Sequence, residues 1–327
     1  MNKGAQVGIV LLQLGGPDSL QSVEPFLYNL FCDPDIIDLP LAFLFRKPLA
    51  RFISRRRGPK VQEFYRRIGS KSPILKLTRR QAMALERELH GRVNARVEIG
   101  MRYWHPLTEA ALEAMEREKV ERVILLPLYP HFSRSTTGSS VNEWNRLLAQ
   151  RARVSFTTDI ITEYCEHPLY IDALVRNIGI ALNRVRRADR SKVHLVFSAH
   201  GTPMKLVRDG DPYQPQIVRT YNAVVERGKF GLPTHLCYQS KVGPQKWLEP
   251  SLTQTIERLA GEKVSHVVVI PIAFVSDHSE TLWEINMEAR REAKHLGIQY
   301  YDMSPALNTN PLFIKALADL VVQRMVQ

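Results

Sequence analysis

The stretch Val267-Val-Val-Ile-Pro-Ile-Ala-Phe-Val275 runs directly into Ser276-Asp-His-Ser-Glu-Thr-Leu-Trp-Glu284. A β-branched run without polar alternation reads as a strand covered on both faces, as in a parallel sheet. The segment after it, Glu280 to His295, has helical periodicity and reads as a crossover helix. Strand then helix is the unit of a doubly wound α/β sheet, whose ligands bind beyond the carboxyl ends of the strands. Asp277, His278 and Glu280 fall at such an end. Phe197-Ser-Ala-His-Gly-Thr-Pro203 repeats the arrangement, placing His200 where an apolar strand exits.

The same alternation covers the chain. Strands are expected at Val7 to Leu14, Val97 to Tyr103, Val123 to Tyr129 and Val154 to Ile161, then at Val193 to Ser198, His235 to Ser240, Val267 to Val275 and Ile298 to Asp302. Helical stretches at Leu75 to His90, Thr108 to Lys119, Leu169 to Ala188 and Glu280 to His295 separate most of them. The pattern predicts two Rossmann-like, doubly wound domains with parallel four-stranded sheets. A length of 327 residues exceeds one hydrophobic core and agrees with two domains. The division is expected at 1–165 and 166–327, because the first set of four strands closes before Glu163 to Pro168 and a long helix begins there. The final helix, Pro311 to Val326, suits either domain by pattern alone. Two lobes imply a cleft.

A net charge of +12 directs attention to anionic partners: nucleic acid, a membrane surface or an acidic small molecule. The basic residues are dispersed apart from Arg55-Arg56-Arg57 and Lys60, and no nucleic-acid module accompanies them, so nucleic acid ranks last. Cys32, Cys165 and Cys237 lie far apart without CxxC spacing, which argues against a disulfide framework or a local zinc site and for a reducing, cytoplasmic setting. The N-terminus shows no export or transit pattern. Ile36 to Ile53 is apolar but interrupted by Asp38, Pro40, Arg46, Lys47, Pro48 and Arg51, which excludes a spanning helix. Phe26, Leu27, Leu30, Phe31, Ile36, Ile37, Leu39, Leu41, Phe43, Leu44 and Phe45, with the arginine triplet beside them, fit a helical core, an amphipathic lip on an anionic membrane, or a site for a greasy ligand with acidic ends.

No GxGxxG or GxxxxGK[ST] occurs, so the usual nucleotide fingerprints are absent. His200 is a candidate base or metal ligand, since an imidazole of unperturbed pKa about 6.5 accepts protons near neutrality; a strand-end histidine bonded to a loop carbonyl is the plain alternative. Glu280, Glu284 and Glu288 recur every fourth residue, stacking carboxylates at ~6 Å per step along one helix face. Such a stripe is ordinarily solvated, yet its position after a strand favours a cleft-facing start, and carboxylate with imidazole suits Fe²⁺ and other divalent first-row ions. Trp247 is a core aromatic or a flat wall for a planar ligand. In Ser133-Arg-Ser-Thr-Thr-Gly-Ser-Ser140 the hydroxyls suit carboxylate binding or helix capping, with capping expected of Ser139 and Ser140. His131 is open to either a structural or a functional role.

Leu14-Gly-Gly-Pro-Asp18, Arg56-Arg-Gly-Pro-Lys60, Tyr65-Arg-Arg-Ile-Gly69, Arg102-Tyr-Trp-His-Pro-Leu-Thr-Glu109, Ser135-Thr-Thr-Gly-Ser-Ser140, Phe197-Ser-Ala-His200, Gly210-Asp-Pro-Tyr213, Gln239-Ser-Lys-Val-Gly-Pro244 and Ser276-Asp-His-Ser-Glu-Thr-Leu282 resemble, in order, motifs of the ferrochelatase family. They run along nearly the whole chain. The resemblance implies insertion of Fe²⁺ into a porphyrin, with His200 and Glu280 facing the macrocycle centre and Glu284 and Glu288 continuing from them as metal ligands or a charge relay. Replacing two pyrrole N–H protons by a metal demands a base, a metal path and a bent macrocycle. The resemblance further implies porphyrin contacts at Leu14, Leu27, Leu30, Tyr65 and Trp247, and propionate contacts at Arg57, Lys60 and Ser72, where charge-assisted hydrogen bonds explain the cations. Leu14, where relatives using coproporphyrin often carry Tyr, leans the substrate to protoporphyrin IX. Gly210-Asp-Pro-Tyr-Gln-Pro-Gln216 carries one residue more than the usual order. Some members hold an iron–sulfur cluster; Arg134 at the internal cysteine position and a chain ending at Gln327 predict none here, with Fe²⁺ a substrate and no resident cofactor. A non-catalytic tetrapyrrole-binding protein and a chelatase for cobalt or nickel are the alternatives.

Overall fold

The computed structural model describes residues 6–36, 42–241 and 245–326. Ile37, Leu39, Leu41, Val242, Gly243 and Pro244 lie outside the described residues, as do the side chains of Phe43 and Leu44. The chain forms two compact units, Met1–Glu163 with Ile314–Gln327, and Tyr164–Phe313. The C-terminal stretch therefore groups with the first unit, whereas 166–327 was the range expected for the second domain. One physical tie is the Arg122 guanidinium, which donates to the Arg324 carbonyl at 2.8 Å.

In the first unit, strands β1 (Val7–Gln13), β2 (Ala95–Met101), β3 (Arg122–Pro127) and β4 (Thr157–Ile160) form a parallel sheet in the order β2-β1-β3-β4. All seven residues of β1 are buried. That is the reason for its unbroken apolar sequence, each fully buried Val or Leu being worth about 1.5–3 kcal/mol. Helices α1 (Val23–Phe31), α2 (Ala42–Arg67) and α3 (Ile74–Leu89) follow β1, with α4 (Thr108–Arg117) after β2 and α5 (Ser139–Leu148) after β3. Val10, Leu12, Val123 and Leu125 pack against Leu112, Met115 and Trp144 on one face of the sheet.

The second unit opens with α6 (Pro168–Arg184) and repeats the strand order as β6-β5-β7-β8, from β5 (Val193–His200), β6 (Thr234–Gln239), β7 (His266–Pro271) and β8 (Tyr300–Met303). Its other helices are α7 (Met204–Arg208), α8 (Tyr213–Gly228), α9 (Leu252–Gly261) and α10 (Arg290–His295), and α11 (Pro311–Val326) closes the chain. Val196, Val267 and Val269 pack against Ile256 and Leu259 of α9 and against Ile285.

All eight expected strands form, with two informative differences at their ends. β5 continues past Ser198 to His200. β7 stops at Pro271 instead of Val275, since proline brings no N–H to the ladder. The Ile272 amide still reaches the Ser198 carbonyl at 3.0 Å, and the Phe274 amide then turns back to Pro271 at 3.2 Å. The expected helix from Glu280 to His295 also divides: Glu280–Ala289 is wound as a π-helix, and only Arg290–His295 is α-helical. Wide π turns are rare and concentrate at functional sites. Ser139 does not cap α5; its hydroxyl bonds Asp33 and accepts from Arg102, and Ser133 caps the preceding π turn, Arg134–Gly138.

Candidate active site

His200 is the last residue of β5, half-buried, and its carbonyl accepts the Tyr213 hydroxyl at 3.0 Å. Gly201 follows because nothing larger fits: a Cβ there would lie 2.9 Å from the Gln239 carbonyl oxygen and 3.4 Å from the Trp247 ring. The His200 ring meets Phe274 edge-on, centroids 6.2 Å apart, and Phe274 meets His278 at 4.5 Å on the loop beyond β7. Burial pushes the His200 imidazole below its ordinary pKa, with Glu280 opposing and His278 adding to the fall. The neutral ring, with its lone pair available, is thereby favoured.

Glu280 opens the π-helix and lies 2.8 Å, through its Oε2, from His278 Nε2. His278 is 8% exposed. Its Nδ1 faces the Ser276 carbonyl at 3.0 Å, and a carbonyl only accepts, so Nδ1 carries a hydrogen and Nε2 serves Glu280. Burial alone would lower the His278 pKa, but the Glu280 charge and hydrogen bond, the Ser276 carbonyl and Asp277 together raise it. Glu280 is the mirror case: burial favours its neutral form, yet the charge and hydrogen bond of His278, and then His200, hold it far below the usual carboxylate range. The pairing thus favours the charged forms of both partners, while burial favours the neutral form of His200.

Glu284 behaves differently. Burial first and the Glu280 charge second push it up to about 7, against the Ser240 hydroxyl, which donates to its Oε2. Glu288 is exposed. The three carboxylates thus grade from Glu280 beside the imidazoles to Glu288 in solvent. Among the described residues no group of three or more His, Cys, Asp or Glu side chains is gathered closely enough to hold a metal ion.

Trp247 lies beside the exit of β5, where it forms a bridge with Pro203, while the Leu248 amide bonds the Thr202 carbonyl at 3.1 Å. In the first unit, Leu14, Leu27, Leu30 and Tyr65 come together in one apolar cluster of α1 and α2, with Tyr103. Tyr65 is only 3% exposed, so its ring belongs to that core. Arg57 stacks over Phe31 at 5.6 Å and Lys60 over Phe64 at 5.8 Å. The Ser72 amide bonds the Pro17 carbonyl at 2.8 Å, holding the start of α3 to the loop after β1. His131 is buried, at 2% exposure.

Sequence reasoning noted His278 only as a neighbour of the carboxylate ladder and gave it no role. Its spacing two residues before Glu280 was the available signal. Phe274 and Ser240 had no local signal.

A family model described as Ferrochelatase matches residues 6–325. A ferrochelatase of Geotalea daltonii is 50% identical over 316 residues, covering 97% of each chain. The ferrochelatase of Aquifex aeolicus is 44% identical, covering 96% of this chain and 98% of its own. That of Trichodesmium erythraeum is 44% identical over 98% of this chain and 83% of its own length. Among solved structures, the sirohydrochlorin chelatase from Bacillus subtilis subspecies spizizenii, in complex with cobalt, covers 96% of this chain at a TM-score of 0.53 and 10% identity. A multi-domain protein from Deinococcus radiodurans, described as structurally similar to chelatases, gives a TM-score of 0.53 at 15% identity, over 54% of its own length. These two establish a shared fold.

Proposed function

The chain belongs to the ferrochelatase family, and we propose that it inserts Fe²⁺ into protoporphyrin IX to form protohaem, releasing the two pyrrole N–H protons. Members of this family are enzymes acting on a porphyrin and a metal ion. The observation that carries it is the His200 imidazole at the exit of β5, in ring contact through Phe274 with the His278–Glu280 pair held at 2.8 Å. His200 accepts the pyrrole protons in turn, and its positive charge after each transfer is stabilised by Glu280. Glu280 and Glu284 offer hard oxygen donors to the incoming ion, and Glu284, poised at about 7, passes protons towards Glu288 and solvent. Trp247 supplies a flat wall for the macrocycle. Leu14 supports protoporphyrin over coproporphyrin.

The test is anaerobic turnover of the purified protein with Fe²⁺ and each porphyrin. Porphyrin fluorescence is lost and haem absorbance grows with protoporphyrin IX. Binding without turnover overturns the enzyme reading, and faster turnover of coproporphyrin overturns the substrate.

The same reading has the chain work without an iron–sulfur cluster, supported by Arg134 at the internal cysteine position. It also has the chain cytoplasmic and peripheral at a membrane. Among the described residues no helix is long and apolar enough to cross a membrane. Phe45 and Phe52 of α2 stand 65% and 64% exposed, with Arg51 and Arg55 nearby in sequence, which supports contact with anionic lipid. Replacing both with Ser is expected to cut cosedimentation with anionic liposomes several-fold; unchanged cosedimentation removes the lipid contact.

A further inference from the structure

Glu280 and His278 sit at the end of a loop that leaves β7 at Pro271, and a loop needs an outside anchor to hold a 2.8 Å ion pair in place. That anchor is Asn308, from the segment between β8 and α11. Its backbone is left-handed, φ 44°, a conformation asparagine tolerates better than most residues. Its amide donates to the Val275 carbonyl at 2.7 Å. Its side chain grips Asp277 twice: Oδ1 accepts the Asp277 amide at 3.1 Å, and Nδ2 donates to Asp277 Oδ2 at 2.9 Å. The other Asp277 oxygen lies 3.3 Å from the Thr281 hydroxyl, which in turn accepts the His278 amide at 3.1 Å.

The anchor is itself tied to a helix. Asn177 of α6, buried, donates through Nδ2 to the carbonyls of Pro305 at 2.9 Å and Ala306 at 3.2 Å. Asn310 Nδ2 donates to Asn177 Oδ1 at 3.0 Å, and Asn310 Oδ1 accepts the Leu312 amide at 2.9 Å. Three asparagines thus carry the position of α6 through the post-β8 segment to Asp277. Each link uses a directional pair, so the chain fixes orientation as well as distance.

We infer that Asn308 is a positioning residue for the His278–Glu280 pair, acting through Asp277, with Asn177 and Asn310 holding it in place. The inference rests on the functional reading of Glu280 given above. Asn308 touches no reacting atom; it decides where the carboxylate stands when the metal and the macrocycle arrive. A displacement of about 1 Å in such a group lowers turnover by up to about a hundredfold.

Asn308→Asp keeps the size of the side chain and its tolerance of left-handed backbone, but removes the donor and sets a carboxylate against Asp277. It is expected to lower kcat about tenfold to a hundredfold, with KM for porphyrin changed less than about twofold. Exchanging the pair, Asp277→Asn with Asn308→Asp, restores one donor between two acceptors and is expected to recover kcat to within about threefold. Wild-type turnover in Asn308→Asp overturns the inference, as does failure of the exchange to restore turnover in a protein with a wild-type melting midpoint. Asn308→Gly, which keeps the backbone conformation and loses only the amide, gives a readout independent of activity. The Asp277 amide is expected to exchange hydrogen at least about tenfold faster in that variant, and an unchanged rate overturns the clamp. A wild-type protein that inserts no metal refutes the functional reading, while the exchange rate still decides whether Asn308 holds Asp277.

Discussion

β1 and β5 each stand second in a sheet of the same order, and their carboxyl ends are built alike. Leu12 pairs with Pro127 and Ser198 with Pro271, so Leu14 and His200, two residues on, occupy corresponding places. The amide after each proline returns to the central strand, Leu128 to Leu12 at 2.8 Å and Ile272 to Ser198 at 3.0 Å. Each central strand then meets a glycine, Gly15 with φ 87° and Gly201, and each third strand leads to a π turn. What fills the two exits differs. In the first unit Asp33, with no exposed side-chain surface, takes Arg102 at 2.9 Å, the Tyr103 hydroxyl at 2.5 Å and the Ser139 hydroxyl, so its charge is cancelled on the spot. In the second, Glu280 alone pairs with His278, Glu284 is held by the Ser240 hydroxyl, Glu288 is exposed, and the His200 imidazole ends the central strand. Topology provides the place; the side chains decide whether it is a fastening or a reaction centre.

The largest effect is expected at the corresponding pair. His200→Ala removes the proposed proton acceptor and should lower kcat by about 10²- to 10⁴-fold, the usual worth of a positioned base, with the melting midpoint unchanged. Leu14→Ala, at the corresponding place of the first unit, should alter KM for porphyrin and leave kcat within about threefold. Near-normal turnover of His200→Ala in the anaerobic insertion assay would erase the functional distinction between the two exits.

Stability is where the first unit should suffer. Arg102→Ala leaves Asp33 buried without its cation, and breaking a buried pair costs about 3–5 kcal/mol. The expected readout is a large fall in the urea midpoint of the first unit. A loss below about 1 kcal/mol would mean that Tyr103 and Ser139 alone satisfy Asp33.

The parts of this contrast that lay in local sequence were legible. The β-branched runs located all eight strands, and a titratable residue directly after such a run marked His200 and Glu280. The unread parts depend on partners far along the chain. Asp33 meets Ser139 across 106 positions, so the hydroxyl run after β3 read as capping. Asn308 meets Asp277 across 31, and nothing in its own neighbourhood sets it apart. The π winding of Glu280–Ala289 had no counterpart in the hydrophobic period, which favours a helix without specifying its width. Tyr65 carried a family motif, but only packing reveals that its ring is core.

The smallest expected effect has the opposite sign to that of Arg102→Ala, and it follows from like charge stored in the second exit. Burial and the Glu280 charge raise Glu284 from an ordinary 4.5 to about 7. The folded protein therefore holds the proton more tightly than the unfolded chain between these values. Stability contributed by the protonated side chain is fully present below about 4.5 and is lost as pH rises through about 7. Glu284→Gln carries no such dependence, and its amide oxygen still accepts from Ser240. In the metal-free protein the melting midpoint of the variant, relative to wild type, should rise between pH 5 and pH 8 by about 2 °C or more. Bound metal would favour the ionised carboxylate and shrink that difference. A gap that stays constant across the range would show that Glu284 is an ordinary solvated carboxylate, and the proposed passage of protons through Glu284 towards Glu288 would lose its carrier.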